Sequence, residues 1–164
     1  MKILDIAQGV RQNHALEHAT IHVLSWRNPY VQIVGRSTPR GFVIYGPLEL
    51  QEVASAASEA LARLQRGEDY LAVHPRCGTN LVVTSVLAGT SAFVATLGRP
   101  RSKLDRLPLA LVAATVATIA ARPLGQRIQE MVTTTPEVDG VYIASVTRQD
   151  RGKLTAHRVV TGRA

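Results

Sequence analysis

Leu81-Val82-Val83-Thr84-Ser85-Val86-Leu87-Ala88-Gly89-Thr90-Ser91-Ala92-Phe93-Val94-Ala95-Thr96-Leu97 is a run of 17 residues without a charge, and Leu107 to Ala121 supplies 15 more. Each falls short of the roughly 20 apolar residues that cross about 30 Å of hydrocarbon. Flanking Asn80 and Gly98 can sit at the interface, and local bilayer thinning absorbs a small mismatch, so each run is read as a membrane helix. Small residues recur at every fourth position: Thr84, Ala88, Ala92 and Thr96 in the first run, and Ala113, Ala117 and Ala121 in the second. Such rows let two helices approach closely in lipid. The competing reading is a helical hairpin buried in a soluble oligomer.

Composition agrees with a lipid-facing part. Hydrophobic residues make up 46% of the 164 and charged residues only 19%, against about 25% charged in typical soluble domains. The net charge of +7 would suit nucleic acid, but aromatics are only 4% and no dense Lys/Arg run exists. The excess is therefore read as juxtamembrane charge near anionic lipid, with no nucleic-acid partner. Between the two apolar runs lies Arg99-Pro100-Arg101-Ser102-Lys103-Leu104-Asp105-Arg106, four bases and one acid. The positive-inside rule alone would put this loop in the cytoplasm and both flanking parts outside, an argument that conflicts with the one from the N-terminus. The N-terminal residues, with Lys2 and Asp5, lack a signal-peptide core, which argues against exporting the preceding 80 residues and favours a cytoplasmic location for them instead. The expected location is the inner cell membrane, crossed more than once.

Outward from the runs, residues 3 to about 27 show apolar positions at helical spacing and end near Asn28-Pro29. Tyr30 to Gly35 and Gly41 to Gly46, joined by Arg36 to Arg40, predict a β-hairpin. Leu48 to Arg66 predicts a helix whose Val53, Ala56, Ala57, Ala60, Leu61 and Leu64 form one stripe, opposite a solvated face carrying Glu49, Glu52, Glu59 and Arg63; Gly67 ends it. After Pro123, Leu124 to Val132 can continue as an amphipathic helix, which Thr133-Thr134-Thr135-Pro136 ends. Gly140 to Thr147 and Lys153 to Thr161, around Arg148 to Gly152, predict a second hairpin, with His157 on its surface. An isolated hairpin is marginal in water, so the two hairpins are expected to share a sheet, within or between subunits. The expected fold is an α+β membrane protein: N-terminal helix, β-hairpin, helix, two-helix transmembrane hairpin, C-terminal β-hairpin. The expected regions are 1–80, 81–122 and 123–164.

Chemistry gathers in two motifs. In His14-Ala15-Leu16-Glu17-His18 the histidines are four apart, so a helix aims both at one point while Glu17 flanks them. H-x-x-E-H is the inverted zinc-protease order, in which two histidines bind zinc and the glutamate takes a proton from bound water. His22 extends the row. The second motif, His74-Pro75-Arg76-Cys77-Gly78, precedes the first apolar run and holds the chain's one cysteine, which excludes an intramolecular disulfide. Proline fixes φ and glycine permits a left-handed turn, as in the knuckles of zinc ribbons, so His74 and Cys77 can face one metal. Together His14, His18, His74 and Cys77 supply the four ligands of tetrahedral zinc, or of another divalent transition metal.

His74-Pro75-Arg76-Cys77-Gly78-Thr79 before an apolar run, with Glu17-His18 and upstream His14, resembles the uncharacterised bacterial membrane proteins of the YqhQ type, labelled predicted metal-dependent enzymes. The resemblance covers roughly residues 10 to 100. Ala19 departs from it, standing where that family has lysine, and this chain is shorter, as in a compact relative. The resemblance implies a membrane location and a metal, and no particular reaction.

Two functions follow. One is a metal-dependent hydrolase at the membrane, with three protein ligands, an open position and Glu17 as the catalytic base. The other is an oligomeric membrane scaffold, binding or channel protein with a filled, structural metal site and Glu17 orienting a histidine. The expected partners are the bilayer and further copies of the chain; the substrate is not legible.

Overall fold

The computed structural model describes residues 3–97, 103–149 and 155–164. Most of the basic loop, Arg99 to Ser102, and the turn Asp150 to Gly152 lie outside the described residues. The chain divides into two compact units, Met1–His74 with Glu130–Ala164, and Pro75–Gln129.

The first unit sets two helices, α1 (Ile3–Arg27) and α2 (Leu50–Gln65), on a four-stranded antiparallel sheet of order β1-β2-β4-β3. Its strands are β1 (Val34–Thr38), β2 (Gly41–Tyr45), β3 (Val141–Arg148) and β4 (Ala156–Arg163). The two hairpins do share one sheet, within a single chain, through β2 pairing β4. Alternation aims Phe42 and Ile44 of β2 and Val159 of β4 at the helices, and all three are fully buried. On α2 the buried residues are Val53, Ala56, Ala57, Ala60, Leu61 and Leu64, the stripe that helical spacing picked out. Its start is fixed where Glu52 Oε2 accepts the Glu49 N–H at 2.8 Å, and Gly67, at φ 84°, stops it. On α1, Ala15, Leu16, Ala19, Val23 and Leu24 face the core. Beside them buried Asn13 donates to Thr38 O at 2.8 Å and accepts from Thr161 Oγ1 at 2.7 Å, tying α1 to both β1 and β4.

Two expectations need correction here. The first strand is β1 at Val34–Thr38, so Arg36, Ser37 and Thr38 are strand residues and only Pro39 and Arg40 turn the chain. An edge strand tolerates such polar residues because only one side of it must pair. His157, expected on the surface, is fully buried. It sits opposite Ile44 on central strand β4, and the two-residue period puts it on the same inward face as Val159 and Thr161.

The second unit is an antiparallel pair, α3 (Gly78–Thr96) and α4 (Leu107–Ile128). Helical geometry makes α3 about 28 Å long and α4 about 33 Å. Helix α4 continues through Pro123 and passes into a π-helical turn, Gln129–Thr133. Proline removes one backbone bond, which a helix packed along a neighbour can absorb as a local kink. The small rows form the mutual face: Thr84, Ala88, Ala92, Ala113 and Ala117 are half-buried and Ala110, Ala121 and Gly125 are buried. Thr96, the last of the first row, is exposed. At the open end Gln129 Nε2 donates to Asn80 Oδ1 at 2.7 Å, and a Cβ on Gly125 would collide with Asn80. Outward-facing Leu81, Val82, Val86, Phe93, Leu111 and Ile119 are each at least 60% exposed, and α3 has no buried residue. Both helices are long and apolar enough to cross a membrane.

Candidate metal centre

The first unit gathers four of the chain's five histidines. His14, His18 and His22 stand one turn apart on α1, and His74 comes alongside from the segment after α2. The ring centroids of His14 and His18 are 4.3 Å apart, those of His18 and His74 5.8 Å, and those of His22 and His74 4.8 Å. The ligand atoms of His14 and His18 lie within 4.8 Å of one another.

Backbone carbonyls hold the three helical histidines. His14 Nδ1 donates to Thr133 O at 3.0 Å, His18 Nδ1 to Ala72 O at 2.8 Å, and His22 Nε2 to Val73 O at 2.9 Å. A carbonyl oxygen can only accept, so each contact fixes which ring nitrogen carries hydrogen. In the neutral rings the lone pair then falls on Nε2 of His14 and His18, and on Nδ1 of His22. Metal-ligating histidines are commonly oriented in this way by a carbonyl on the other nitrogen.

The carbonyls are available for a local reason. Asp69–Ala72 is a single 3-10 turn leading into extended Val73, and the π turn ends at Thr133 with Pro136 close behind. Neither segment can continue a helical ladder, so its last acceptors need other donors. Arg11, one turn before His14, fills the same need: its Nη2 donates to Thr134 O at 2.9 Å and to Met131 O at 3.2 Å. The two segments also wall a cleft of about 290 Å3, lined by Asp69, Tyr70, Ala72, Val73, Glu130, Thr134 and Pro136.

Glu17 is buried and makes a different contact. Its carboxylate accepts the Ser37 hydroxyl, and the neighbouring inward position of β1 is Gly35, where a Cβ would overlap the carboxylate. The glutamate is thus seated on the edge strand of the sheet. Cys77 caps α3, its Sγ accepting the Thr79 N–H at 3.4 Å. Gly78 is the first residue of that helix and takes helical backbone, so the left-handed knuckle expected here does not form; a cap and a helix start replace it.

At the outer end of the row Trp26 lies 5.8 Å from the His22 ring, with the Arg63 guanidinium 4.6 Å above its centroid. Arg63 pairs with Glu68 at 2.6 Å. Its hydrogen bond holds the Glu68 carboxyl below the usual range, and Glu68 in turn raises Arg63. His22 is marked in the sequence only by its place four residues after His18; no pattern marks the carbonyls of Ala72, Val73 and Thr133.

These features belong to a defined class. Residues 9–146 match the family described as Domain of unknown function (DUF6391), and the chain belongs to that family. An uncharacterised protein of Picosynechococcus sp. is 39% identical over 134 residues, covering 76% of this chain and 65% of its own length. This chain thus spans just under two thirds of that bacterial relative. No solved structure matches.

Proposed function

We propose that this chain is a metal-binding membrane protein whose α1 histidines and the His74 to Cys77 segment hold a divalent transition ion, zinc by its donor set. The observation that carries the reading is the set of three carbonyl-anchored imidazoles, His14, His18 and His22, with His74 among them. A surface histidine row needs no such anchoring, whereas ligand histidines are oriented by it. His14 and His18 present Nε2 from adjacent turns, and His74 or Cys77 completes the set. Cys77 follows His74 by three residues, so chain length alone keeps their Cα atoms within about 11 Å. A cysteine binds metal as its thiolate. Three nitrogen and sulfur donors leave a position open, and four close it.

The bound ion would supply Lewis acidity. Glu17 supports a hydrolytic version through its place between His14 and His18 in the motif. The Ser37 hydrogen bond engages that same carboxylate, which favours the version in which Glu17 seats α1 on the sheet and the protein binds metal without turning over a substrate. The finer kinship with proteins of the YqhQ type rests on the His-Pro-x-Cys-Gly-Thr motif. Membrane residence rests on the outward apolar faces of α3 and α4, whose side chains would cost solubility in water. Further copies of the chain are the alternative cover for those faces.

Metal content of purified protein tests the proposal. Wild type should carry zinc, His18→Gln should lose it, and Glu17→Gln should keep it. Equal zinc in wild type and His18→Gln refutes the centre.

A further inference from the structure

We propose that the row carries a second metal position, made by His22 Nδ1 and His74, for a divalent first-row transition ion held through nitrogen alone. His14 and His22 are eight residues apart, about 12 Å along a helix. With metal–nitrogen bonds near 2.0–2.1 Å, one tetrahedral ion cannot take both, above all when the lone pair of His22 is on the ring nitrogen nearer its own backbone. The four rings group accordingly. His14 lies 4.3 Å from His18, while His74 lies nearer His22, at 4.8 Å, than His18, at 5.8 Å. The Val73 carbonyl fixes the His22 tautomer, and it belongs to the residue directly before His74, so one backbone segment positions both rings. Arg63, which lies over the Trp26 ring at this end, is balanced by Glu68 at 2.6 Å and Glu59 at 3.6 Å. All-imidazole donors suit zinc, copper, nickel and cobalt.

The proposal rests on the reading above only in treating His14 and His18 as a separate centre, and the experiment separates the two. Trp26 is the chain's one tryptophan and its ring is 5.8 Å from His22, so its emission reports this position. Purified full-length protein in detergent is titrated with Co2+ alone, following Trp26 emission, bound cobalt and the near-ultraviolet thiolate-to-cobalt band that marks Cys77. Wild type is expected to quench. His22→Gln and His74→Gln are each expected to lose the quenching and one equivalent of cobalt while keeping the thiolate band. His18→Gln should lose the thiolate band and keep the quenching. A wild type without a thiolate band, but with quenching lost in His22→Gln and His74→Gln, supports the second position and sinks the first reading. Quenching that is absent in wild type, or that survives unchanged in both His22→Gln and His74→Gln, overturns the second position.

Discussion

At the residue scale, Glu17 and Gly35 depend on one another. The carboxylate fits because the β1 position beneath it has no side chain, and Ser37, two residues on and on the same face, supplies the hydroxyl. Gly35→Ala should therefore push Glu17 off Ser37 and destabilise the first unit by about 1–3 kcal/mol, the usual range for adding a methyl to a filled core. Thermal or denaturant unfolding followed by circular dichroism measures this; an unchanged midpoint would mean that the strand shifts freely. Asn13 is the second such residue, since its amide serves Thr38 O and Thr161 Oγ1 at once. His157 shows what the sequence withheld at this scale. General exposure statistics favour a surface histidine, but its two-residue phase with Val159 places it inward, and phase is the stronger constraint on a central strand. The ring tautomers were likewise hidden, because their acceptors come from segments that sequence periodicity does not describe.

At the scale of elements, the buried stripe of α2 was legible to the residue because its six positions repeat at helical spacing and its opposite face is charged, while the ends of the helix fell one to two residues inside those expected. Strand β1 was read three to four residues early, because Arg36, Ser37 and Thr38 look like a turn until the edge position explains them. Leu16, fully buried on α1, anchors that helix on the sheet, and Leu16→Ala should cost about 2–5 kcal/mol in unfolding free energy. A loss well under the bottom of that range would show that α1 is only loosely packed. The Arg63–Glu68 pair predicts a direction with pH. Glu68 is held below its ordinary value, so its contribution is present above the unfolded carboxylate range, about pH 4, and is lost as pH falls through the lower folded value. Stability of Glu68→Gln relative to wild type should therefore fall short at neutral pH by a small, salt-sensitive amount and converge with it in acid. Divergence in acid would reverse the sign and refute the assignment.

At the scale of the molecule, the second unit is an apolar hairpin whose charge-free runs were legible. Its true length was not: α3 starts three residues before the run and α4 continues seven beyond the second. Those added turns bring helices that looked short up to bilayer thickness. Expressed protein should pellet with membranes, resist alkaline carbonate and be released by detergent; a stable detergent-free particle would instead assign the apolar faces to contacts between copies. Ala117→Leu, in the face between α3 and α4, should weaken the hairpin without altering zinc content, since no histidine shares that face.

The sheet also sets an order of events during synthesis. Strand β2 must pair with β4, which begins at Ala156, about 110 residues after Tyr45. At about 5–20 residues per second a ribosome takes roughly 5–20 s to make that interval. The inner edge of β2 waits unpaired for that time, while the whole apolar hairpin emerges ahead of the strand that will pair with it. A nascent chain therefore carries an exposed apolar hairpin before its sheet can close, and slow codons placed after residue 129 should lengthen the interval in which it needs a chaperone.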